Sequence, residues 1–195
     1  MTEVVLFHHA QGLTRGVAAF ADELRAAGHT VHAPDLFEGR TFDSLDEGQS
    51  YVERFGFGEI TERGVRAAER LPRDAVYAGF SLGVLPAQKL AQTRAGARGA
   101  LLFHACIPVT EFGTAWPDHV PVQVHAKEAD PLFAEDLDAA RALVSGHAAA
   151  EMFLYPGEQH LFADNSLSSH DPDAATLLLQ RTVEFLGSCQ GLSRT

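Results

Sequence analysis

The sequence predicts an α/β protein with a mainly parallel sheet of about six to seven strands and helices on both faces. Two observations predict this class. Short apolar segments of strand length alternate with longer segments that carry apolar residues at helical spacing. The strand segments are apolar nearly throughout rather than at every second residue, which is typical of strands buried on both faces. We therefore expect right-handed crossovers between parallel strands.

The elements follow one another along the chain at short intervals. The predicted strands are residues 4–8, 29–35, 75–80, 99–105, 121–128 and 150–157. The predicted helices are residues 14–28, 60–71, 82–95, 132–146 and 171–187. The first helix has Gly28 as a C-cap candidate, and the last has Asp171 as an N-cap candidate followed by Pro172 at the first helical position. The segment Arg54–Ile60 contains two glycines and is interpreted as a flexible connector.

Composition limits the classes of partner. The chain has 195 residues, 46% of them hydrophobic, which is enough for one sizeable core and predicts a single domain over residues 1–195. The formal net charge of −11 disfavours binding to phosphate backbones, so no nucleic-acid partner is expected. No apolar run has the length of a membrane span, and the first residues lack the features of a signal peptide. Cys106 and Cys189 do not suggest a disulfide framework, so we expect a cytoplasmic protein; no oligomeric state is indicated.

The segment Gly79-Phe80-Ser81-Leu82-Gly83 fits the Gly-x-Ser-x-Gly pattern of a nucleophile elbow. It lies between a predicted strand and a predicted helix, which is the context that the motif requires. Glycine is needed on both sides of the serine because the turn brings these positions close to neighbouring backbone. The alternative is an ordinary strand–helix turn in which glycine serves packing only.

A serine hydroxyl needs a base, and the base needs an orienting acid. Asp130 follows the fifth predicted strand and His160 follows the sixth, so both are expected at the carboxyl edge of the sheet beside Ser81. The chain order Ser, Asp, His is that of the α/β-hydrolases. Three alternatives stay open: Asp130 caps the next helix only, Glu128 is the acid, or His160 is a surface histidine.

The chain resembles the dienelactone hydrolases over nearly its whole length. The resemblance is carried by "FHHAQGLT", "FADELRAAGHTVHAPDLFEGR", "AGFSLGV", "AKEADP", "YPGEQHLFAD" and "QRTVEFL". The pairing of "APDLF" with "YPGxxHxF" is fairly specific for that family. The resemblance implies a single-domain α/β-hydrolase fold that acts on esters or lactones without a metal or cofactor.

Three departures from the family pattern bear on the chemistry. The family usually has cysteine where this chain has Ser81, and glutamate where it has His9. Losing both together indicates a change toward an ordinary serine hydrolase. The arginine that binds the substrate carboxylate in the family is matched here by Leu167. We therefore expect neutral esters or lactones to be preferred over carboxylate-bearing dienelactone.

The same comparison suggests the oxyanion hole and the pocket. The two donors would be the backbone N–H groups of Leu82 and Ala10, with Gly12 letting the loop of Ala10 pass close to the elbow. The substrate-pocket candidates, for several of which plain packing is an equal alternative, are His9, Gln11, Phe112, Trp116 and Leu167.

A metal site is not expected. His8 and His9 are adjacent at a strand end, so their side chains point in opposite directions, and no Cys-x-x-Cys or His-Glu-x-x-His pattern completes a site. Cys106 is interpreted as a small buried residue rather than a nucleophile.

The sequence therefore predicts a serine hydrolase of small esters or lactones that forms an acyl-enzyme on Ser81, with His160 as base and Asp130 as its orienting acid. One alternative is a binding or regulatory protein with the same fold, against which the complete set of three residues argues. The other alternative is an acyltransferase that uses the same residues.

Overall fold

Six parallel strands form one sheet in the computed structural model, which describes residues 1–190. The strands are β1 (Glu3–Phe7), β2 (Thr30–His32), β3 (Ala75–Phe80), β4 (Gly99–Phe103), β5 (Val122–Lys127) and β6 (Ala150–Tyr155). Their order across the sheet is β2-β1-β3-β4-β5-β6. The predicted α/β class with a parallel sheet is confirmed, although β2 is shorter than the segment 29–35 predicted for it. The last five residues of the predicted domain, 191–195, lie outside the described residues.

The helices are α1 (Arg15–Ala26), α2 (Leu45–Phe55), α3 (Phe57–Ala68), α4 (Val84–Thr93), α5 (Phe133–Gly146) and α6 (Pro172–Cys189). A short 3₁₀ turn, Ser81–Gly83, precedes α4, and another, Val109–Glu111, follows β4. None of these helices combines the length and apolar character of a membrane span within residues 1–190.

Helix α2 was not predicted, and the interpretation of Arg54–Ile60 as a flexible connector was wrong. That segment is the joint between α2 and α3, where only Gly56 leaves the helical conformation. The apolar stripe of α2 is thin, because its only buried residues are Gly48 and Val52. A local signal was nevertheless present: the side chain of Ser44 caps the helix by accepting a hydrogen bond from the N–H of Glu47, as the Ser-x-x-Glu pattern predicts.

The two faces of the sheet are covered by different helices, because successive strand residues point to opposite sides. On one face Val5, Tyr77 and Leu102 pack with residues of α2, α3, α4 and α5. On the other face Val4 and Leu101 pack with residues of α1 and α6. Helices cover both faces of the sheet. The groups that a ligand can reach therefore lie at its carboxyl edge, where β1, β3, β4, β5 and β6 end.

Candidate active site

Ser81 lies on a strained turn directly after β3. Its φ is +48°, in the left-handed region that residues other than glycine rarely adopt. The two flanking glycines are required by close backbone approach. A Cβ on Gly79 would lie 2.1 Å from the carbonyl oxygen of Gly83, and a Cβ on Gly83 would lie 2.4 Å from the carbonyl oxygen of Phe7. The turn thus has the geometry of an elbow that exposes a side chain at the edge of the sheet.

Ser81, His160 and Asp130 form one continuous hydrogen-bonded chain. Ser81 Oγ lies 2.9 Å from His160 Nε2, and His160 Nδ1 lies 2.6 Å from Asp130 Oδ2. The other oxygen of Asp130 accepts a hydrogen bond of 2.9 Å from the backbone N–H of Leu132, so the carboxylate binds both the start of the α5 segment and the imidazole. Glu128 is exposed, and it is Asp130 that contacts His160.

Asp130 is buried, whereas the His160 side chain keeps 12% of its surface exposed. With a proton on Nδ1, toward Asp130, the imidazole presents the lone pair of Nε2 to the serine hydroxyl. A group held in this way can take a proton from the hydroxyl, because its second nitrogen is free to become a donor.

The two predicted oxyanion donors are the backbone N–H groups of Leu82 and Ala10. Leu82 is the second residue of the 3₁₀ turn that leads into α4, and the first N–H groups of a helix have no acceptor within it. Ala10 is buried in the loop after β1, and its N–H donates to no acceptor among residues 1–190.

Gly12 does not act as predicted. It approaches the segment after β2 rather than the elbow: a Cβ on Gly12, whose φ is +92°, would lie 2.3 Å from the carbonyl oxygen of Arg40. It also forms an isolated antiparallel bridge with Thr41. Gly12 therefore joins the loop of Ala10 to the β2–α2 connection.

His9 was predicted to line the substrate pocket, and the structure places it elsewhere. The side chain is completely buried, and its Nε2 lies 2.8 Å from Oδ2 of Asp164. Its Nδ1 accepts a hydrogen bond of 3.2 Å from the backbone N–H of Gln11. Both nitrogens are therefore occupied by protein groups.

Asp164 is a buried carboxylate that the sequence interpretation missed. Besides His9 it accepts hydrogen bonds from the hydroxyl of Thr14 at 2.5 Å, and from the N–H and hydroxyl of Ser166 at 2.8 and 2.7 Å. Burial alone would raise the pKa of Asp164, but the hydrogen bonds from His9, Thr14 and Ser166 outweigh it and lower the pKa to about 2. The only sequence signal was its position four residues after His160.

Leu167 is half-buried in the turn after His160, where its N–H donates to the carbonyl oxygen of Asp164. The residue of this segment that contacts the loop of Ala10 is thus Asp164 and not Leu167. That Leu167 lines the substrate pocket in place of the family's arginine stays a prediction.

The remaining pocket candidates have structural partners. The side-chain amide of Gln11 donates to the carbonyl oxygen of Phe42 at 3.1 Å. The indole of Trp116 donates to the carbonyl oxygen of Val120 at 2.7 Å, and it lines a cavity of about 420 Å³ together with residues of α5. None of the three residues of the hydrogen-bonded chain lines that cavity. Phe112 is half-buried beside the 3₁₀ turn Val109–Glu111.

Comparison with known proteins gives a family assignment. The sequence profile described as "Dienelactone hydrolase family" matches residues 1–190. The chain belongs to the dienelactone hydrolase family. It is accordingly a hydrolase of the α/β class. No curated protein sequence matches it significantly.

Solved structures of similar fold include proteins from the same family. A dienelactone hydrolase-like promiscuous phosphotriesterase from metagenomic libraries is 19% identical with a TM-score of 0.73, and the match covers 97% of this chain and 87% of that chain. A dienelactone hydrolase from Anabaena variabilis is 20% identical with a TM-score of 0.65, covering 96% and 86%. A cold-adapted esterase from an Arctic intertidal metagenomic library is 18% identical with a TM-score of 0.64, covering 98% and 82%.

Family members usually carry a cysteine nucleophile, and in this chain Cys106 is the cysteine that follows one of the central strands. Cys106 is completely buried, three residues beyond the end of β4. Burial, assisted by the nearby carboxylate of Asp136, raises the pKa of the Cys106 thiol to about 12. The thiolate is the reactive form, so Cys106 is chemically inert at neutral pH.

The buried side chain of His104 lies beside His160. His104, whose φ is +68°, packs its ring against Phe80 and Phe162 and lies 5.7 Å from the His160 ring between centroids. Neither of its ring nitrogens has a partner within residues 1–190, and burial keeps the pKa of His104 well below its usual range. His104 is therefore uncharged and adds no positive charge beside the imidazole of His160.

Lys127 anchors the loop that carries His160. Its buried Nζ donates to the carbonyl oxygen of Pro156 at 2.6 Å and to Oδ2 of Asp171, the N-cap of α6, at 2.5 Å. Both ends of the loop, at Pro156 and Asp171, are thereby tied to β5. Among residues 1–190 no group of three His, Cys, Asp or Glu side chains has the arrangement of a metal site.

Proposed function

We propose that this family member is a serine hydrolase of small, neutral esters or lactones, with Ser81 as nucleophile, His160 as general base and Asp130 as the group that orients it. The observation that carries the proposal is the continuous hydrogen-bonded chain from Asp130 through His160 to a serine on a strained elbow. Such a chain supplies the proton acceptor that a serine hydroxyl lacks on its own.

The reaction follows from these positions. Ser81 Oγ attacks the carbonyl carbon while its proton moves to Nε2 of His160, and Asp130 stabilises the resulting imidazolium. The negative oxygen of the tetrahedral intermediate accepts hydrogen bonds from the N–H groups of Leu82 and Ala10. Collapse breaks the bond to the alkoxy group, which takes the proton from His160 and leaves an acyl-enzyme. Water then gives its proton to His160, attacks the acyl carbon and releases the acid, and Ser81 recovers its proton.

The charges around the site favour neutral substrates. The Asp164 carboxylate is ionised at neutral pH, and the protein as a whole carries a formal net charge of −11. Arginine is the usual partner of a substrate carboxylate, and Arg15 and Arg40 are two candidates in the sequence. Arg15 is exposed at the start of α1, and Arg40 is exposed with its guanidinium 6.0 Å from the ring centre of Tyr51. A carboxylate entering a partly buried pocket without a cationic partner would keep its desolvation cost.

The cysteines and the net charge support a cellular compartment and a class of partner. The free, buried thiols Cys106 and Cys189 support a reducing, cytoplasmic compartment. The expected partner is the small-molecule substrate, and the acidic surface disfavours nucleic acid.

The test combines probe labelling with a pair of substrates. Wild type and Ser81→Ala would be treated with a fluorophosphonate probe, and the labelled residue mapped by mass spectrometry. Hydrolysis of p-nitrophenyl acetate should fall by about 10⁴-fold or more in Ser81→Ala, with loss of labelling. Wild type should hydrolyse the methyl ester of a lactone acid at least about tenfold more efficiently than the free acid, because the free acid retains an unpaired charge.

Retained hydrolysis or labelling at another residue in Ser81→Ala would refute Ser81 as the nucleophile. A preference for the free acid would refute only the proposed substrate class. Product analysis in the presence of added alcohols separates hydrolysis from acyl transfer, since transfer yields a new ester in place of the acid.

A further inference from the structure

The peptide group between His9 and Ala10 is held by its carbonyl end. The carbonyl oxygen of His9 accepts a hydrogen bond of 2.8 Å from Nδ1 of His8 and another of 3.0 Å from the N–H of Gly12. In a trans peptide the C=O and N–H bonds point in opposite directions. Two donors that fix the carbonyl of His9 therefore also fix the direction of the Ala10 N–H, which is the proposed oxyanion donor.

The tautomer of His8 is set by a second contact. Its Nε2 accepts a hydrogen bond of 3.0 Å from the backbone N–H of Leu36, so the ring proton must be on Nδ1, where it is donated to the carbonyl of His9. Burial is the main cause that lowers the pKa of His8 to about 4, so the ring keeps its lone pair on Nε2 at neutral pH.

His9 holds the next peptide group with the opposite tautomer. Its Nδ1 accepts from the N–H of Gln11, so its proton is on Nε2 and is donated to Asp164. The two neighbouring histidines thus fix the peptide groups on both sides of Ala10, one by donating to a carbonyl and the other by accepting from an N–H.

Asp164 ties this arrangement to the rest of the site. Its carboxylate accepts from His9, from Thr14 at the N-cap of α1, and from Ser166 in the turn after His160. One carboxylate therefore sets the distance between the loop of Ala10 and the segment that carries the proposed base. His9 and Asp164 are 0% and 1% exposed, so neither contact is weakened by solvent.

We propose that His8, His9 and Asp164 are positioning residues that aim the backbone N–H of Ala10 at the developing oxyanion. This inference rests on the proposed serine hydrolase function. The adjacent residues His8 and His9, at which the sequence predicts no metal site, thereby have a structural role in the proposed reaction. The donor must lie about 3 Å from the position of the oxyanion, and a displacement of about 1 Å is enough to cost on the order of 100-fold in rate.

The isosteric change Asp164→Asn tests the carboxylate. The asparagine amide donates where a carboxylate oxygen accepts, so it conflicts either with the N–H and hydroxyl of Ser166, which share Oδ1, or with the hydroxyl of Thr14 and the Nε2–H of His9, which share Oδ2. If His9 changes tautomer to avoid the conflict, its Nδ1–H then opposes the N–H of Gln11. We expect kcat for p-nitrophenyl acetate to fall about 10- to 100-fold while KM changes by less than about threefold.

His8→Asn and His8→Gln separate positioning from packing. The asparagine amide nitrogen replaces Nδ1 and still donates to the carbonyl of His9, whereas the longer glutamine reaches the place of Nε2 and cannot. A volume-filling role for His8 predicts the opposite order, because glutamine is larger and leaves less empty space. We expect His8→Asn to retain at least about fivefold more kcat than His8→Gln.

The matched control is Glu3→Gln. Glu3 and His32 form another carboxylate–imidazole contact of 2.8 Å, at the opposite end of β1 from the site. Its removal should leave kcat unchanged. Every variant would be checked by thermal unfolding, and the inhibition constant of a trifluoromethyl ketone, whose adduct places an anionic oxygen in the oxyanion hole, would be measured in parallel.

The outcomes are distinguishable. Parallel losses in kcat/KM and ketone affinity, with Asn better than Gln at position 8, support the proposal. A folded Asp164→Asn with unchanged kcat, or activities at position 8 that follow side-chain volume, overturns it. If Asp164→Asn does not fold, the pair at position 8 decides. Retained activity in Ser81→Ala would instead refute the proposed function on which the inference rests.

Discussion

The carboxyl edge of the sheet contains two Asp–His pairs, Asp130–His160 and Asp164–His9, that share a chemistry and differ in surroundings. In both pairs one imidazole nitrogen faces a buried carboxylate, at 2.6 Å in the first and 2.8 Å in the second. The other nitrogen of His160 faces a side-chain hydroxyl and the ring is partly open, whereas the other nitrogen of His9 faces a backbone N–H and the ring is closed.

This difference shows what decides the role of such a pair. An imidazole that faces a hydroxyl can exchange a proton, while one that faces an amide N–H can only hold the backbone, because the amide does not give up its proton. The two carboxylates also differ, in the number of hydrogen bonds that they accept. Asp164 has four donors and little freedom, whereas Asp130 has one donor besides its histidine.

The largest expected effect comes from the open pair. In Asp130→Asn the amide oxygen would stay with the N–H of Leu132, so the amide N–H₂ would face Nδ1 of His160. The imidazole would then carry its proton on Nε2, where it cannot accept the proton of Ser81. We expect kcat for p-nitrophenyl acetate to fall about 10³- to 10⁴-fold with thermal stability nearly retained.

This loss should exceed that of Asp164→Asn by at least about tenfold, because only the open pair transfers protons. Equal losses in the two amide variants would remove the distinction between the pairs, and a loss below about tenfold in Asp130→Asn would exclude Asp130 as the orienting acid.

The next effect is the pH dependence of stability, which arises from three buried histidines and from the buried carboxylate of Asp164. Burial lowers the pKa of His8 to about 4 and that of His125 to about 3, and keeps that of His104 well below its usual range. An unfolded histidine binds its proton near pH 6.5, so the unfolded chain takes up protons first as the pH falls. The stability that these residues contribute is complete above about pH 6.5 and is lost on acidification toward pH 4.

Each such histidine should reduce the free energy of unfolding by about 1.4 kcal/mol per pH unit, or about 4 kcal/mol per unit for the three together. Asp164, with a pKa of about 2, adds its own loss only below about pH 4. Urea unfolding between pH 7 and pH 4.5 measures the slope. His125→Gln should lower this slope by about one third, whereas substitution of the exposed His119 by Gln should leave it unchanged. A free energy of unfolding that does not change between pH 7 and pH 4.5 would contradict the burial of these histidines in uncharged form.

The smallest effect comes from two helical glycines. Gly48 of α2 lies against the loop of the closed pair, and a Cβ there would be 2.1 Å from the carbonyl oxygen of Ala10. Gly58 of α3 has nothing within 4 Å of the same position. Gly48→Ala should lower kcat about threefold to tenfold and reduce stability by about 1–3 kcal/mol, because α2 must move away from the oxyanion loop.

Gly58→Ala should leave kcat unchanged and raise stability by up to about 1 kcal/mol, because alanine restricts the unfolded chain. Chemical denaturation and steady-state kinetics on both variants provide the comparison. If Gly48→Ala behaves like Gly58→Ala, contact with α2 does not fix the loop of Ala10.

Features that depend on a few consecutive residues could be predicted from the sequence. The apolar strands and the elbow at Ser81 have local signals, and Asp130 and His160 were found because each follows such a strand. The structure brings these three side chains into contact, while their roles stay a prediction. Helix α2 was missed because it buries so little of its surface that its apolar periodicity is weak.

Contacts between distant segments could not be predicted in the same way. Asp164 is 155 residues from His9 and 150 from Thr14, and no local pattern indicates that these groups meet. The surroundings of Leu167 and Trp116 could not be predicted for the same reason: the path of a connecting loop is set by tertiary contacts. The role of His9 changed once its partner was visible, because a buried histidine is interpreted by what each nitrogen faces.

The distance in sequence between the two ends of the Asp164 network also has a consequence for biosynthesis. The oxyanion loop is made within the first dozen residues, and the segment that fixes it is made only after five of the six helices. Contacts of such long range form slowly, since most of the chain must be ordered before they close. A nascent or truncated chain that lacks residues 160–166 therefore has the proposed nucleophile but neither its proposed base nor the carboxylate that binds His9.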